Sequence, residues 1–293
     1  VYLSGYLGSR GGAFDTATNR VRLFRMGQAE GVVAHGDRVW WGVYPGAYVY
    51  ETPAGGAADE KAALNEVYHI GEEQDRPFGV AASADWLAFG TIPNYGTLGG
   101  ALTLLDRRTG KWQTHRNVVK DQSVIALTLR GDRAYGSTSV TGGLGLDPSE
   151  SEARVFAWDI KAGKKIADAP VRLPGRPAPK LIGGLAFGPD GLLWGVAAGS
   201  VFALDPETLA IRRQRTLYPD VPQYSRFRPQ FVGFGPDGLL YSNLAGRVTA
   251  IDPATLEFRN LVAEANVMTL GPDGHVYYAA PDEPMRLRRI KTR

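Results

Sequence analysis

The chain has 293 residues, 44% of them hydrophobic, with 37 glycines, 19 prolines and no cysteine, a globular profile without the roughly 18 consecutive apolar residues that a membrane helix needs. The absence of cysteine excludes a disulfide framework, a zinc–thiolate site, an iron–sulfur cluster and a thiol nucleophile. Its 33 Lys and Arg against 30 Asp and Glu leave a net charge of +3, and no basic block is long enough to form a nucleic-acid footprint.

Val1 opens the chain without Met or signal peptide on a strand-like run, which predicts a mature or excised fragment. From there, 1–7 and 12–15 read as strands ending in the acidic turn Phe14-Asp15-Thr16. The same acidic close recurs at Tyr50-Glu51-Thr52, Leu105-Asp106-Arg107, Trp158-Asp159-Ile160, Leu204-Asp205-Pro206 and Ile251-Asp252-Pro253, spaced by 36 to 55 residues. Residues 57–66 have helix-favouring composition inside a connection. No helix longer than about two turns is expected.

A second repeat is Gly-Pro-Asp-Gly, beginning at Gly188, Gly235 and Gly271. Each copy lies between an apolar run and a β-rich one, such as Leu192-Leu193-Trp194, and reads as strand, tight turn, strand. His35-Gly36-Asp37, Ser83-Ala84-Asp85 and Arg130-Gly131-Asp132 fill the same slot upstream. Interleaving the two repeats orders each unit as strands a, b, c and d. Innermost a strands start near Gly31, Phe78, Val124, Leu181, Phe231 and Asn266, while b and c strands number seven. Seven units of about 42 residues predict an all-β, seven-bladed β-propeller, with six blades the alternative. The whole chain, 1–293, is then a single domain. Its first blade lacks the inner strand, which either earlier residues or the C-terminal strand must complete.

Propeller topology puts the d-to-a connections and b-to-c loops on one face. The inner strands begin there with Gln28 and Glu30, Gln74, Asp75 and Arg76, Asp121 and Gln122, Lys180, and Arg226 and Arg228. Tyr6, Tyr44 and Tyr95 occupy related positions in the glycine-rich b-to-c loops of blades one to three. Phenols, amides, carboxylates and guanidiniums around one mouth suit a sugar. The alternative is structural: polar groups at strand starts also satisfy channel-facing backbone, and a Tyr beside Gly also packs.

Elimination from a uronic acid is the reaction this ring would best support. Arg76, Arg228, Gln74 or Gln122 would neutralise the substrate carboxylate, with Tyr44 and Tyr95 as base and acid. The predicted function is therefore an exported enzyme acting on a poly- or oligosaccharide, a uronate lyase. The alternative is a non-catalytic carbohydrate- or protein-binding propeller within a larger secreted protein, as a monomer or part of a longer chain. Neither reading calls for a nucleic-acid or membrane partner. No Gly-x-Ser-x-Gly elbow or nucleotide-binding glycine motif occurs. His35 and His275 map to the far face, and His69 and His115 to outer strands. Glu30, Asp75 and Asp121 are oxygen donors of the type that binds calcium or magnesium, although no cofactor is required.

The segments Gly188-Pro189-Asp190-Gly191-Leu192-Leu193-Trp194 and Gly235-Pro236-Asp237-Gly238-Leu239-Leu240-Tyr241 resemble the repeat of secreted bacterial seven-bladed propellers related to streptogramin lyases. The resemblance covers blades four to seven and implies the fold; polysaccharide-lyase propellers share it at that level. The usual aromatic-Thr-Glu continuation is replaced by Gly195-Val196-Ala197 and Ser242-Asn243-Leu244, so no His–Glu catalytic pair carries over. Propeller lactonases hold calcium near the inner-strand starts, but their Asn ligands have no evident counterpart here. The front half is similar to propeller modules of large exported bacterial proteins.

Overall fold

The computed structural model describes residues 1–5, 10–55, 64–223 and 230–292, apart from the side chains of 284 and 285. Seven separate antiparallel sheets follow one another along the chain, and within each the strand order is the chain order. The first strands of blades two to seven are Gln28–His35, Gln74–Ala82, Ser123–Arg130, Leu185–Phe187, Val232–Phe234 and Val267–Leu270. Each of these contacts the next, forming the inner ring. The protein is a seven-bladed β-propeller. Its one helical element among the described residues is the three-residue 3-10 turn Leu244–Gly246.

Two sheets have three strands. Blade one comprises Tyr2–Ser4, Arg10–Asp15 and Arg20–Arg25, and blade seven Val267–Leu270, Val276–Ala280 and Glu283–Ile290. The acidic turn at Asp15 falls between the last two strands of blade one, so the position without a strand is the inner one. The C-terminal strand does not complete blade one, because Glu283–Ile290 pairs with Val276–Ala280 in its own sheet. Of the segment with helix-favouring composition, 57–63 lie outside the described residues, and Asn65–His69 forms the outer strand of blade two.

Local chemistry accounts for both repeats. In the Gly-Pro-Asp-Gly turns, Gly191, Gly238 and Gly274 take φ of 77–78°, where a side chain would be strained. The turn aspartate accepts a hydrogen bond from an aromatic group in the following strand: Trp194 Nε1 to Asp190 at 3.1 Å, Tyr241 Oη to Asp237 at 2.6 Å and Tyr277 Oη to Asp273 at 2.6 Å. The aspartates closing the c strands instead cap their own turns, as when Asp15 accepts from the Ala17 amide and Asp205 from the Glu207 amide, both at 2.9 Å.

The core is divided among the junctions between blades. Six apolar clusters each join two neighbours, such as Trp40, Ala47, Val49 and Ile70 of blade two with Leu87 and Phe89 of blade three. The other five join blades one and two, three and four, four and five, five and six, and six and seven. No such cluster joins blades seven and one among the described residues. There Phe14 meets Tyr277 with ring centroids 5.7 Å apart.

Candidate functional site

The inner strands of blades two and three begin earlier than their apolar runs suggest, already at Gln28 and Gln74. Both contain an extra unpaired residue just inside that start. The register slips between Ala29 and Gly31 and between Gln74 and Arg76, leaving Glu30 and Asp75 without cross-strand partners. A bulge of this kind re-aims the local side chains. It assembles one cluster at the mouth from residues far apart in sequence.

Arg76 is the centre of that cluster and is only 9% exposed. Its Nη1 donates to Glu30 Oε1 at 2.5 Å, its Nη2 donates to Tyr95 Oη at 3.3 Å, and its guanidinium lies 3.7 Å from the Tyr44 ring centroid. Asp75 lies on the same side, with Oδ2 3.9 Å from Arg76 Nε. Gln28 Nε2 donates to Glu30 at 2.7 Å. Asp75 Oδ1 accepts from the Gly46 amide at 2.9 Å, tying down the loop after Tyr44. The Tyr44–Pro45 peptide in that loop is cis. Tyr95 projects from the cluster with 54% of its surface exposed.

The two phenols are unlike. The neighbouring Tyr44 hydroxyl and the hydrogen bond from Arg76 lower the Tyr95 pKa below the ordinary phenol value. The neighbouring Tyr95 hydroxyl and desolvation push Tyr44 the other way. For Arg76, burial opposes the charge, but the bonds to Tyr95 and Glu30 outweigh it and raise its pKa.

Gln74 and Gln122 have a different use. Gln74 Oε1 accepts from Thr91 Oγ1 at 2.6 Å, and its Nε2 donates to the carbonyls of Glu72 at 3.0 Å and Gly99 at 3.3 Å. Gln122 accepts from Thr138 and donates to the Glu152 carbonyl at 2.9 Å. Each threonine also accepts from a backbone amide of the third strand, Ala101 at 2.9 Å and Arg154 at 2.7 Å. These glutamines are 2% and 1% exposed and clamp their own blades. Expected from the sequence as ligand contacts, they bond instead to Thr91 and Thr138, whose sequence signal is a hydroxyl recurring just before the end of the second strand.

Lys180 is exposed at the start of blade five, two blades from Arg76, and its amide donates to Gln223 Oε1 at 3.2 Å. Asp121 accepts from Ser149 Oγ at 2.8 Å. Glu30, Asp75 and Asp121 therefore do not converge, and no group of three His or acidic residues suited to a metal gathers among the described residues. Tyr6, Arg226 and Arg228 lie outside the described residues. The structure thus brings together Gln28, Glu30, Tyr44, Asp75, Arg76 and Tyr95.

Two cavities, of about 480 and 600 Å³, lie elsewhere, at the outer part of blade six and at the foot of blade one. The cluster forms a shelf in which Tyr95 stands exposed beside the buried Gln28, Asp75 and Arg76.

No family model and no curated protein matches the chain. Solved structures do share its fold. The computationally designed Ika8 protein is 16% identical with a TM-score of 0.59, over 96% of this chain and 81% of that one. The extracellular domain of BT4673 from B. thetaiotaomicron is 12% identical with a TM-score of 0.58, over 90% of this chain; this chain spans only 33% of its length. A chain in the Mitotic Checkpoint Complex is 13% identical with a TM-score of 0.55, over 87% of this chain and 75% of that one. At such identities the likeness is one of fold alone. No helix among the described residues is long and apolar enough to cross a membrane.

Proposed function

We propose that the chain is an extracytoplasmic recognition propeller that binds a neutral oligosaccharide on the shelf formed by blades two and three, without turning it over. The observation carrying this reading is the pairing of Arg76. Its charge faces the carboxylates of Glu30 and Asp75, so the cation that a lyase would spend on a uronate carboxylate is engaged within the protein. The one cation and two carboxylates leave a net negative shelf, which repels a uronate. The exposed Tyr95 ring offers a stacking face, and Gln28, Glu30 and Asp75 offer hydrogen-bonding groups for hydroxyls. The likeness to extracellular domains, BT4673 and BT3049 among them, supports a place outside the cytoplasm.

Titration calorimetry against a panel of neutral and uronate-containing oligosaccharides tests the proposal. Neutral glycans should bind, and Tyr95→Ala should weaken them at least about tenfold, a difference of about 1.4 kcal/mol. Preference for uronates, or no binding across the panel, sinks it.

A lyase reading would use as its base the Tyr95 phenol, whose oxygen accepts from Arg76 at 3.3 Å. Ultraviolet absorbance from unsaturated products in the uronate arm of the panel would select that reading.

A further inference from the structure

Blades five and six close their third strands with the same sequence pattern, yet the two copies part at one residue. Asp205-Pro206-Glu207-Thr208-Leu209-Ala210-Ile211-Arg212 and Asp252-Pro253-Ala254-Thr255-Leu256-Glu257-Phe258-Arg259 share an aspartate, a turn and an arginine seven residues on. The turns are built alike. Asp205 and Asp252 each accept from two amides of their own turn, and Leu209 and Leu256 take left-handed backbone with φ of 56° and 61°. The arginines are used differently. In blade five the register slips between Ala203 and Leu204, leaving Arg212 without a cross-strand partner, and its Nη2 donates to Asp205 Oδ2 at 2.7 Å. In blade six the slip lies at the other end of the strand, between Val248 and Thr249, so Arg259 stays in regular register beside Ala250. The cavity of about 480 Å³ opens here, and its lining includes Arg215, Arg259, Asp252, Glu257, Phe258 and Leu239. Among the described residues none of these four charged side chains forms an ion pair. Arg215 donates to the Leu256 carbonyl at 2.9 Å and lies 5.6 Å from the Phe258 ring centroid, while Arg213 donates to the Ala254 carbonyl at 2.7 Å. Blade five thus holds the blade six turn, and with it the cavity wall, in place.

We propose that this cavity is a binding site for a free α-amino acid with an apolar side chain. Two guanidiniums and two carboxylates line it without pairing with one another, so a ligand satisfies both signs only if it carries both. The planar forks of Arg259 and Arg215 suit an α-carboxylate. Asp252 and Glu257 suit the three donors of an α-ammonium. The Phe258 ring and Leu239 supply an apolar wall for the side chain. A ligand of single charge would leave one pair of lining groups unmatched or opposed, and that mismatch is the source of selectivity. The volume lies within the roughly 300–1,000 Å³ of small-molecule sites. The cavity stands by the c-to-d turn, at the end of the propeller opposite the glycan shelf, and works independently of it.

The probes for calorimetry are phenylalanine and leucine, with N-acetylphenylalanine, which lacks the ammonium, and phenylalanine amide, which lacks the carboxylate, as controls. The expected result is one-to-one binding of the free amino acids, with each blocked analogue at least about tenfold weaker. Arg259→Gln should weaken phenylalanine at least about tenfold and leave phenylalanine amide unchanged. Asp252→Asn keeps an oxygen for the Ala254 and Thr255 amides; it should weaken phenylalanine to a similar degree and leave N-acetylphenylalanine unchanged. Both variants should keep the unliganded Tm, which separates loss of binding from loss of the fold. Tyr95→Ala should not move phenylalanine affinity, because the glycan shelf lies on the opposite face. Absence of binding by both amino acids overturns the proposal. So does equal binding by either blocked analogue, or phenylalanine affinity indifferent to either substitution in the cavity.

Discussion

The starts of blades two and four hold the same residue, Gln28 and Gln122, in different employment. In blade four, Thr138 stands across from the strand start and takes Gln122 into a clamp, as Thr91 takes Gln74 in blade three. The register places Gly42 in the corresponding position of blade two. A Cβ there would lie 2.5 Å from Pro77 Cβ and 2.9 Å from its carbonyl oxygen, so the approach of blade three excludes a threonine. Gln28 instead donates to Glu30 and joins the Arg76 cluster. In blade six a glutamine and a serine, Gln230 and Ser242, hold these places, and Gln230 Oε1 and Ser242 Oγ are buried without the bond that the Gln–Thr pairs make. One glycine thus separates a glutamine that holds its blade from one at the mouth of the channel.

The sharpest way to break this comparison is Arg76→Ala. It leaves Glu30 and Asp75, 10% and 11% exposed, without their cation, and breaking a buried pair costs about 3–5 kcal/mol. A large drop in Tm is expected, whereas Arg76 treated purely as a ligand-facing residue predicts almost none. Thr91→Val comes next: it strips a partner from buried Gln74 and from the Ala101 amide, for about 2–4 kcal/mol by chemical denaturation. The same change at Thr138 should match it, and a neutral result at either position would dissolve the clamp. Gly42→Ala overpacks the contact with Pro77 and should cost about 1–3 kcal/mol. If it were silent, close approach would not explain the missing threonine.

Tyr95→Phe should have the smallest effect on stability near neutral pH. A phenol whose pKa is lowered on folding contributes stability that is complete above its unfolded value and lost as pH falls through the folded one. The gap between the native protein and Tyr95→Phe should therefore open only as pH rises toward 10. Tyr44, shifted upward, contributes in the opposite sense, and its share is lost as pH climbs through its raised value. Spectrophotometric titration should show one phenol ionising below the ordinary range that disappears in Tyr95→Phe; its persistence would remove the influence of Tyr44 and Arg76 on Tyr95 from the account.

The blade count was legible because each blade repeats its turn chemistry. Asp190, Asp237 and Asp273 each follow a proline and hold an aromatic side chain four residues on, contacts local enough to read directly. The polar starts of the inner strands were legible as positions but not as roles. Gln28 and Gln74 look alike in sequence, and the difference lies across the sheet at residues 42 and 91. Arg76 was visible as a cation, but its pairing with Glu30, 46 residues away, depends on two bulges that no local pattern announces.

By itself, then, the sequence determined the all-β class, the seven repeats and the face on which the strand starts gather, because strand alternation and turn geometry are properties of adjacent residues. Tertiary structure decided what each polar group pairs with. It drew Gln74 and Gln122 into clamps, turned Gln28 toward the cluster and matched Arg76 with carboxylates. Those outcomes rest on the approach of neighbouring blades, where a single Cβ or one inserted residue determines which groups lie within hydrogen-bond reach.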